Sequence, residues 1–287
     1  MKIITPAHGV LTLSQSKNSS IFKMAKVGLG SLGVVSEVTL KCIPKMQLEE
    51  VTKVYDRESI VTGGQEDKSH YDRLLANRHV RYMWLPYTDT VVSVTSKIHD
   101  SKNLSDATTF TAETNVANVT PPTAQMVAIL KENLKAGGDR NNSSRDEDYL
   151  SLSSYSVAGL RDLLLEYKPL SVSHISAINN AEAEFWKASQ LTRIDDSVNV
   201  LGFDCGGEQW VLETCIPLGH LHSGNHKDVN FVKDLLATIE KERLPAPSPI
   251  EQRYFFLTTD TFLFCNFCGV DIFVGICLHH DLQVDCS

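Results

Sequence analysis

The sequence predicts an α+β fold in which helices pack on a sheet. Two segments, Arg81–Tyr87 and Thr90–Thr95, are rich in aromatic and β-branched residues and are joined by a Thr88-Asp89 turn, which is the pattern of a β-hairpin. Several other segments carry apolar residues in a stripe with helical spacing, as helices that pack on a sheet do. With 287 residues, of which 42% are hydrophobic, the chain is long enough to bury a large core.

The first 45 residues predict a small β-rich unit. Residues 3–13 alternate β-formers around a Pro/Gly turn and predict a strand, a turn and a second strand. A short helix is predicted through Ile21–Val27, begun by a Ser19 or Ser20 cap and ended by Gly28, and a strand from Val34 to Ile43 follows. Because apolar residues begin without a polar lead-in, we expect that an upstream part of the fold is missing.

Periodicity and breaker residues predict the remaining elements. Gly63-Gly64 interrupts a helix, Gly206-Gly207 makes a bulge in a strand, and the prolines of segment 245–249 end the last helix because proline cannot continue one. In chain order the predicted elements are a strand at 47–55, a helix at 57–77, the hairpin, a surface loop at 99–122, a helix at 124–135, a polar loop at 137–148, helices that start near Ser156 and Ser173, a strand at 201–216, a helix at 228–244 with Phe231, Leu235, Leu236 and Ile239 inward, and a strand at 250–257.

The apolar tail at 255–278 has two interpretations. Residues 261–278 just reach the roughly 18 apolar residues that a membrane-spanning helix requires. Asp271 argues against a span, because a carboxylate near its centre costs about 2.5 to 3.5 kcal/mol. We therefore favour two buried strands in this segment.

Charge and cysteine content exclude several classes of protein. The net charge of -8 argues against a nucleic-acid partner, because binding phosphates requires a basic face. Seven cysteines without a secretory segment do not indicate a disulfide framework. Cys265 and Cys268 form a C-x-x-C, but no second pair completes a four-ligand set, so no metal is predicted.

Gly28, Gly30 and Gly33 form a literal G-x-G-x-x-G string. This string indicates a Rossmann dinucleotide site only when a strand precedes it and a helix follows. Here the predicted order is a helix before and a strand after, so an NAD site is not predicted. Two interpretations remain, a plain helix cap with a tight turn, or a backbone that approaches a flat ligand closely.

Glu251 and Arg253 stand two residues apart on a predicted strand and should share one face, while Gln252 faces the other way. In most sheets such a pair is an ordinary ion pair. In a cleft, the arginine can instead stabilise developing negative charge on a hydroxylated substrate. A second polar segment, 204–210 followed by Glu213 and Cys215, is either a sheet rim or a bulged strand that presents a thiol.

Taken together, five strings resemble the sugar-1,4-lactone oxidoreductases, the D-arabinono-1,4-lactone oxidase family of the vanillyl-alcohol-oxidase flavoprotein superfamily. The strings are AKVGLGSLGVVSEVTL at 25–40, LPYTDTVV at 85–92, NAEAEFW at 180–186, LGFDCGG at 201–207 and PAPSPIEQR at 245–253. The resemblance runs from Ile4 to Arg253.

This resemblance implies two domains and one site. Residues 1–45 would end a PCMH-type FAD-binding domain. Residues 46–287 would form a cap domain, an antiparallel sheet with helices packed on one side, that is incomplete at its C-terminus and divergent over 255–287. The implied site residues are Gly28, Gly30, Gly33, Val34 and Val35 for FAD, Glu251 and Arg253 for substrate at the flavin ring, and Cys215 as a redox-sensitive thiol.

The implied activity is oxidation of an aldono-1,4-lactone, L-galactono-1,4-lactone to L-ascorbate, with a hydride passing to flavin N5 and electrons passing to cytochrome c. The implied location is the mitochondrial inner membrane or intermembrane space, with possible membrane association. Because the family pattern continues upstream of Met1 and fades after Arg253, we expect a fragment with weak flavin binding of its own. Two other classes stay open: a non-catalytic binding or assembly factor that keeps the cap fold, and a tail-anchored membrane protein.

Overall fold

A computed structural model describes residues 1–26, 28, 30–62, 69–99, 123–136, 155–202, 209–217, 226–247, 249–256 and 270–279, and for 134–136, 209–217, 255–256 and 270–279 it describes the backbone alone. The strands are β1 (Lys2–Thr5), β2 (Gly9–Thr12), β3 (Val34–Glu37), β4 (Gln47–Tyr55), β5 (His79–Leu85), β6 (Thr90–Ile98), β7 (Leu191–Asp196), β8 (Gln209–Pro217), β9 (Ile250–Phe256) and β10 (Val270–His279). The helices are α1 (Ser19–Ala25), α2 (Ser59–Thr62), α3 (His70–Ala76), α4 (Ala124–Ala136), α5 (Val157–Leu165), α6 (Val172–Ala188), α7 (Ser197–Leu201) and α8 (Lys227–Lys241).

The N-terminal residues form a three-stranded antiparallel sheet in the order β2-β1-β3. The strand predicted to reach Ile43 ends at Glu37, because β1 offers partners only as far as Lys2. Helix α1 begins after Asn18 rather than after a serine cap, since Ser19 is already helical. The expected domain boundary after residue 45 falls between this sheet and the next, and its status as a domain boundary stays a prediction.

A seven-stranded antiparallel sheet, in the order β7-β4-β6-β5-β9-β10-β8, forms the rest of the framework. The predicted hairpin is β5 and β6, in which Leu85 pairs with Thr90. The strand β7 was not predicted, because its sequence LTRIDD lacks the apolar alternation of a half-buried strand. It lies at the sheet edge and forms by pairing with β4.

Helices pack on both faces of this sheet, whereas we expected them on one. On one face, α3 and α8 bury a core that includes Leu74, Tyr82, Trp84 and Leu236. On the other face, Ala183 and Trp186 of α6 pack against β5 and β6, and α4 and α5 pack against α6. The physical reason lies in β6, where the consecutive residues Val91, Val92, Ser93 and Val94 are all buried, so this strand has no solvent face to leave uncovered.

The contact between α5 and α6 includes a buried, bidentate ion pair. Arg161 Nε donates to Glu182 Oε2 at 2.8 Å and Arg161 Nη2 donates to Glu182 Oε1 at 2.5 Å. The indole Nε1 of Trp186 also donates to Glu182 Oε1, at 3.2 Å. Three donors therefore satisfy a carboxylate that is removed from water, as a buried charge requires.

Several other predicted elements are correctly assigned as helix or strand, but some of them begin or end at different residues. The predicted strands at 47–55 and 250–257 and the predicted helix at 124–135 are β4, β9 and α4. The predicted helix at 57–77 is two helices, α2 and α3. Of the predicted strand at 201–216, Leu201 belongs to α7, residues 209–216 lie in β8, and 203–208 lie outside the description. Both glycine interruptions, Gly63-Gly64 and Gly206-Gly207, and both predicted polar loops lie outside the described residues, except at residue 99.

The inward face of α8 differs from the prediction. Leu236 and Ile239 are buried, but Phe231 is exposed, and Val229 and Val232 lie in the core instead. Helix α8 begins at Lys227, and its buried residues recur at three- and four-residue intervals from Val229, a stripe that leaves Phe231 outside.

Candidate active site

Strand β9 places Glu251 and Arg253 on one face of the seven-stranded sheet. Ile250, Gln252 and Tyr254 are buried on the opposite face, the alternation that a strand produces. The Arg253 Nε atom donates to Glu251 Oε1 at 2.5 Å, and neither side chain is fully buried or fully exposed. The two residues therefore lie together as an ion pair.

A third charged side chain, Arg81, joins this pair from the neighbouring strand. The pairing of β5 with β9 sets Arg81 directly opposite Arg253, and Arg81 Nη1 lies 3.7 Å from Glu251 Oε1. Like charges directly opposite in a sheet repel each other, so the Glu251 carboxylate between the two guanidinium groups stabilises this register. The cluster keeps a net positive charge. Sequence reasoning missed Arg81, because only the strand pairing brings it to the site.

A pocket of about 230 Å³ opens beside these arginines. The strand pairing sets Glu50 and His79 on either side of Ser96, in the row of the sheet next to the arginine row. The lining residues include charged and polar side chains from the sheet and two apolar side chains from α7: Glu50, His79, Arg81, Ser96 and Arg253, with Val200 and Leu201.

Two of the polar side chains in this pocket, His79 and Ser96, can hydrogen-bond a ligand without adding charge. Glu50 is already paired, since Arg193 Nε donates to its Oε1 at 2.7 Å. Burial, together with the charge of Arg78, lowers the pKa of His79, which favours the neutral imidazole. The buried Ser96 hydroxyl has no hydrogen-bond partner within the described part of the chain. The pocket thus suits a ligand that carries several hydroxyl groups.

Buried hydrogen bonds hold β9 from the face opposite this pocket. The indole Nε1 of Trp84 donates to Gln252 Oε1 at 2.9 Å, and the Tyr254 hydroxyl donates to Asp228 Oδ2 at 3.1 Å. All four side chains are buried. Because Gln252 and Tyr254 flank Arg253, these bonds fix the strand that presents the arginine.

Asp228 belongs to a buried network that the sequence did not indicate. His70 Nε2 lies 2.7 Å from Asp228 Oδ2, and His70 Nδ1 lies 3.0 Å from the Tyr82 hydroxyl. Burial alone would raise the pKa of Asp228, but the hydrogen bond and charge of His70, with hydrogen bonds from Val229 and Tyr254, outweigh it and lower that pKa. Burial also raises the pKa of Tyr82 to about 12, so its hydroxyl keeps its proton.

The glycine-rich turn lies between α1 and β3, in the order that the sequence predicted. Gly33 has φ +137°, and a Cβ there would overlap the backbone carbonyl of Ile4, so glycine is required by the pairing of β1 with β3. Gly30 has φ +78° but faces open space. Beyond the turn, Val34 and Val35 are 70% and 42% exposed. Binding of a cofactor by Gly28, Gly30, Gly33, Val34 and Val35 stays a prediction.

We expect Gly33→Ala to destabilise the three-stranded sheet by about 2 to 4 kcal/mol, since the added methyl group meets backbone and the φ value is itself strained. Gly30→Ala is the matched control. It brings a similar backbone strain without a steric clash and should cost about 1 kcal/mol. Urea denaturation followed by circular dichroism measures both. Equal losses in the two variants would contradict the steric explanation.

Cys215 lies in β8, where the structure describes the backbone alone. It pairs with Phe273 of β10, and Phe273 pairs with Arg253, so Cys215 occupies the position two strands from the arginine. At the usual strand spacing this separates the two backbones by about 10 Å. Its role as a redox-sensitive thiol stays a prediction.

The described residues test only part of the predictions for the apolar tail at 255–278 and for metal binding. Strand β10 pairs with both β8 and β9, so 270–279 forms a strand inside the sheet, whereas its burial stays a prediction. Residues 257–269, with Cys265 and Cys268, lie outside the description. None of the described helices is long and apolar enough to cross a membrane. Within the described ranges, no cluster of three or more His, Cys, Asp or Glu side chains is arranged to hold a metal ion.

Comparison with known proteins places the chain among sugar-lactone oxidoreductases. A family model described as D-arabinono-1,4-lactone oxidase matches residues 38–286. The mitochondrial L-galactono-1,4-lactone dehydrogenase of Arabidopsis thaliana is 41% identical over 256 residues, which is 88% of this chain and 40% of that protein. L-galactono-1,4-lactone dehydrogenase 2 of Oryza sativa subsp. japonica is 42% identical, over 88% of this chain and 41% of that protein. L-gulonolactone oxidase of Bos taurus is 31% identical over 36% of this chain.

Solved structures agree at the level of fold. Cholesterol oxidase from B. sterolicum superimposes with a TM-score of 0.51 and 10% sequence identity, over 96% of this chain and 50% of that chain. At this identity the likeness concerns the fold alone, and it supports the α+β class that the sequence predicted. The chain spans about two fifths of the length of the dehydrogenases that it matches.

Proposed function

Because this chain belongs to the D-arabinono-1,4-lactone oxidase family, we propose that it forms part of a flavin-dependent oxidoreductase that oxidises an aldono-1,4-lactone, with L-galactono-1,4-lactone converted to L-ascorbate as the leading reaction. The observation that carries the proposal is the Glu251–Arg253 pair beside a pocket whose side chains can hydrogen-bond several hydroxyl groups. An aldonolactone is a small ring with several hydroxyl groups and no charge, which matches the donors and acceptors described above.

The residues present fit a flavin cofactor. Arg81 and Arg253 place positively charged hydrogen-bond donors at the pocket of a chain whose net charge is -8. A flavin gains negative charge when it is reduced, and such donors would stabilise that charge. The exposed valines of β3 and the open side of Gly30 offer an apolar surface that a flat ring can approach. Gly28, Gly30, Gly33, Val34 and Val35 would hold FAD on one side, and Arg253 would lie toward its ring. When bound, the flavin would supply a two-electron acceptor, at N5, for a hydride from the lactone.

The side chains of this protein would bind and orient the lactone. Glu251 can accept hydrogen bonds from lactone hydroxyls through the carboxylate oxygen that Arg253 leaves uncovered. Arg253 can place a delocalised charge where negative charge develops, which lowers the barrier more than it strengthens binding. Arg81 would hold Glu251 from the other side, so that the carboxylate keeps its position when Arg253 engages a ligand.

The electron acceptor and the location are further parts of the proposal. The relatives named mitochondrial support that organelle. The family resemblance alone supports cytochrome c as the acceptor and a site at the inner membrane or in the intermembrane space, with membrane association. Cys215, close in register to Arg253, would be the thiol whose oxidation lowers activity.

A chimeric enzyme tests the proposal, because the chain spans only part of its relatives. Residues 4–254 would replace the matching segment of the Arabidopsis thaliana dehydrogenase, and the purified chimera would be assayed for flavin absorbance and for reduction of cytochrome c by L-galactono-1,4-lactone. We expect bound flavin and lactone-dependent reduction. A folded chimera that retains flavin but oxidises none of L-galactono-, L-gulono- and D-arabinono-1,4-lactone would contradict the proposed activity. A folded chimera without flavin would favour a binding or assembly role.

A further inference from the structure

A second pocket lies on the sheet face opposite the Glu251–Arg253 pair. It has a volume of about 100 Å³, with the strands β4 and β6 as its floor and helix α3 as its wall. Lys53 and Ser93 are paired across the two strands and both line it. Pockets for drug-sized ligands begin at roughly 300 Å³, so this one admits only a small group or a few waters.

The wall of this pocket contains a buried arginine. Arg73 is 4% exposed, its guanidinium lies 4.4 Å from the centre of the Tyr55 ring, and its Nη1 atom donates to the Ile60 carbonyl oxygen at 2.6 Å. Its Nε and Nη2 atoms are buried and have no hydrogen-bond partner among the residues that the structure describes. The Tyr82 hydroxyl is close enough to interact with the Arg73 guanidinium, although neither of these two nitrogens reaches hydrogen-bond geometry, and the same hydroxyl lies 3.0 Å from His70 Nδ1.

A buried guanidinium without a carboxylate is costly. Removing a charge from water is compensated only when a counter-charge and hydrogen bonds replace the solvent. The described residues form no salt bridge with Arg73, and cation–π contact with one tyrosine offsets only part of the cost. Within the described part of the chain, the positive charge of Arg73 therefore has no carboxylate to balance it.

The rest of the pocket has the chemistry of an anion site. Lys53 adds a second positive charge, and the Ser93 and Thr95 hydroxyls can donate to an oxygen atom. The Asn77 side chain is held at the wall, since its Nδ2 donates to the Arg73 carbonyl oxygen at 2.8 Å. Not one of the described lining residues carries a carboxylate. We propose that this pocket binds a small oxyanion, a phosphate or carboxylate group, between Arg73 and Lys53.

Binding of inorganic phosphate and of acetate to the full chain tests the proposal, with sodium chloride at equal ionic strength as the reference. We expect saturable binding with a dissociation constant of about 1 mM or tighter for at least one probe, measured by calorimetry and by a rise in Tm. The probe that binds more tightly identifies the group as phosphate or carboxylate. Lys53→Gln should weaken binding about tenfold, because it removes one charge-assisted contact.

Three further variants locate the site. Lys97→Gln is the matched control, since Lys97 is an exposed lysine of β6, paired with Glu49 and outside the pocket, and it should bind like the parent. Arg73→Met keeps the length of the side chain and should abolish the anion-dependent rise in Tm. Arg81→Gln tests the other arginine-lined pocket and should leave binding unchanged. The proposal would be overturned if neither probe binds saturably. It would also be overturned if binding survives Lys53→Gln but is lost in Arg81→Gln. Both outcomes can be measured even if Arg73→Met does not fold.

Discussion

Replacing Arg253 with alanine in the chimeric enzyme should lower turnover by about two to three orders of magnitude and change lactone binding much less. The structure places the Arg253 guanidinium against Glu251 and at the wall of the candidate substrate pocket. Losing one preorganised charge at the position where negative charge develops costs about 3 to 4 kcal/mol of transition-state stabilisation. Steady-state kinetics with cytochrome c as the acceptor measures both quantities.

Substitutions around Arg253 separate charge from geometry. Arg253→Lys should rescue little, because a point ammonium cannot reproduce the planar fork that contacts Glu251 and a ligand together. Glu251→Gln should mainly raise KM if the carboxylate only holds hydroxyl groups, and should lower kcat if it accepts a proton. Arg81→Gln should have a smaller effect than Arg253→Ala, since Arg81 contacts the carboxylate at the longer distance of 3.7 Å.

The structure determines which control is suitable for this series. Gln252, the neighbour on the opposite face, is buried and bonded to Trp84, so Gln252→Ala would test stability rather than catalysis. Arg243 is exposed just after α8, which packs on the opposite face, and Arg243→Ala removes the same charge without touching the site. It should keep near-parental kinetics. If Arg253→Ala raises KM and leaves kcat intact, Arg253 only binds substrate, and the role assigned to its charge is wrong.

Replacing Asp228 with alanine should lower the free energy of unfolding by about 3 to 5 kcal/mol, the largest stability effect that we expect for a single substitution in this chain. Asp228 and His70 are fully buried partners at 2.7 Å, and Tyr254 donates to the same carboxylate oxygen. Removing the carboxylate leaves two buried polar groups without a partner. Urea denaturation at pH 7 measures the loss. Glu184→Ala, which breaks the exposed pair with Lys187, is the control and should cost about 0 to 1 kcal/mol.

The same carboxylate makes stability depend on pH in a defined direction. Because the pKa of Asp228 is lower in the folded chain than the ordinary value of 3.8, its stabilising contribution is present above pH 3.8 and is lost as the pH falls through the folded value. The parent chain should therefore lose more stability than Asp228→Ala on acidification below this pH. Parallel loss in the two proteins would show that Asp228 does not carry the acid sensitivity.

Local sequence patterns predicted the strand geometry of the candidate site correctly. The two-residue period of a strand is a property of the backbone alone, so the alternation in β9 was enough to put Glu251 and Arg253 on one face. The order of α1, the glycine turn and β3 follows from local breaker and cap residues in the same way, and it was enough to set the Rossmann interpretation aside. The run of apolar residues in β6 also contained a signal that both faces of the sheet are covered, which our one-sided prediction did not use.

The sequence by itself thus determined the α+β class, the faces of single strands and, through its resemblance to a family, the proposed chemistry. Only the tertiary structure decided which distant residues join the site. Arg81 reaches Glu251 because β5 pairs with β9 in one register, and His70 reaches Asp228 because α3 and α8 pack on the same sheet face. Such contacts depend on pairing and packing between elements far apart in the chain, and a one-residue change of register would move Arg81 to the opposite face. The hydrophobic periodicity of a single segment does not specify which distant strand or helix that segment will contact.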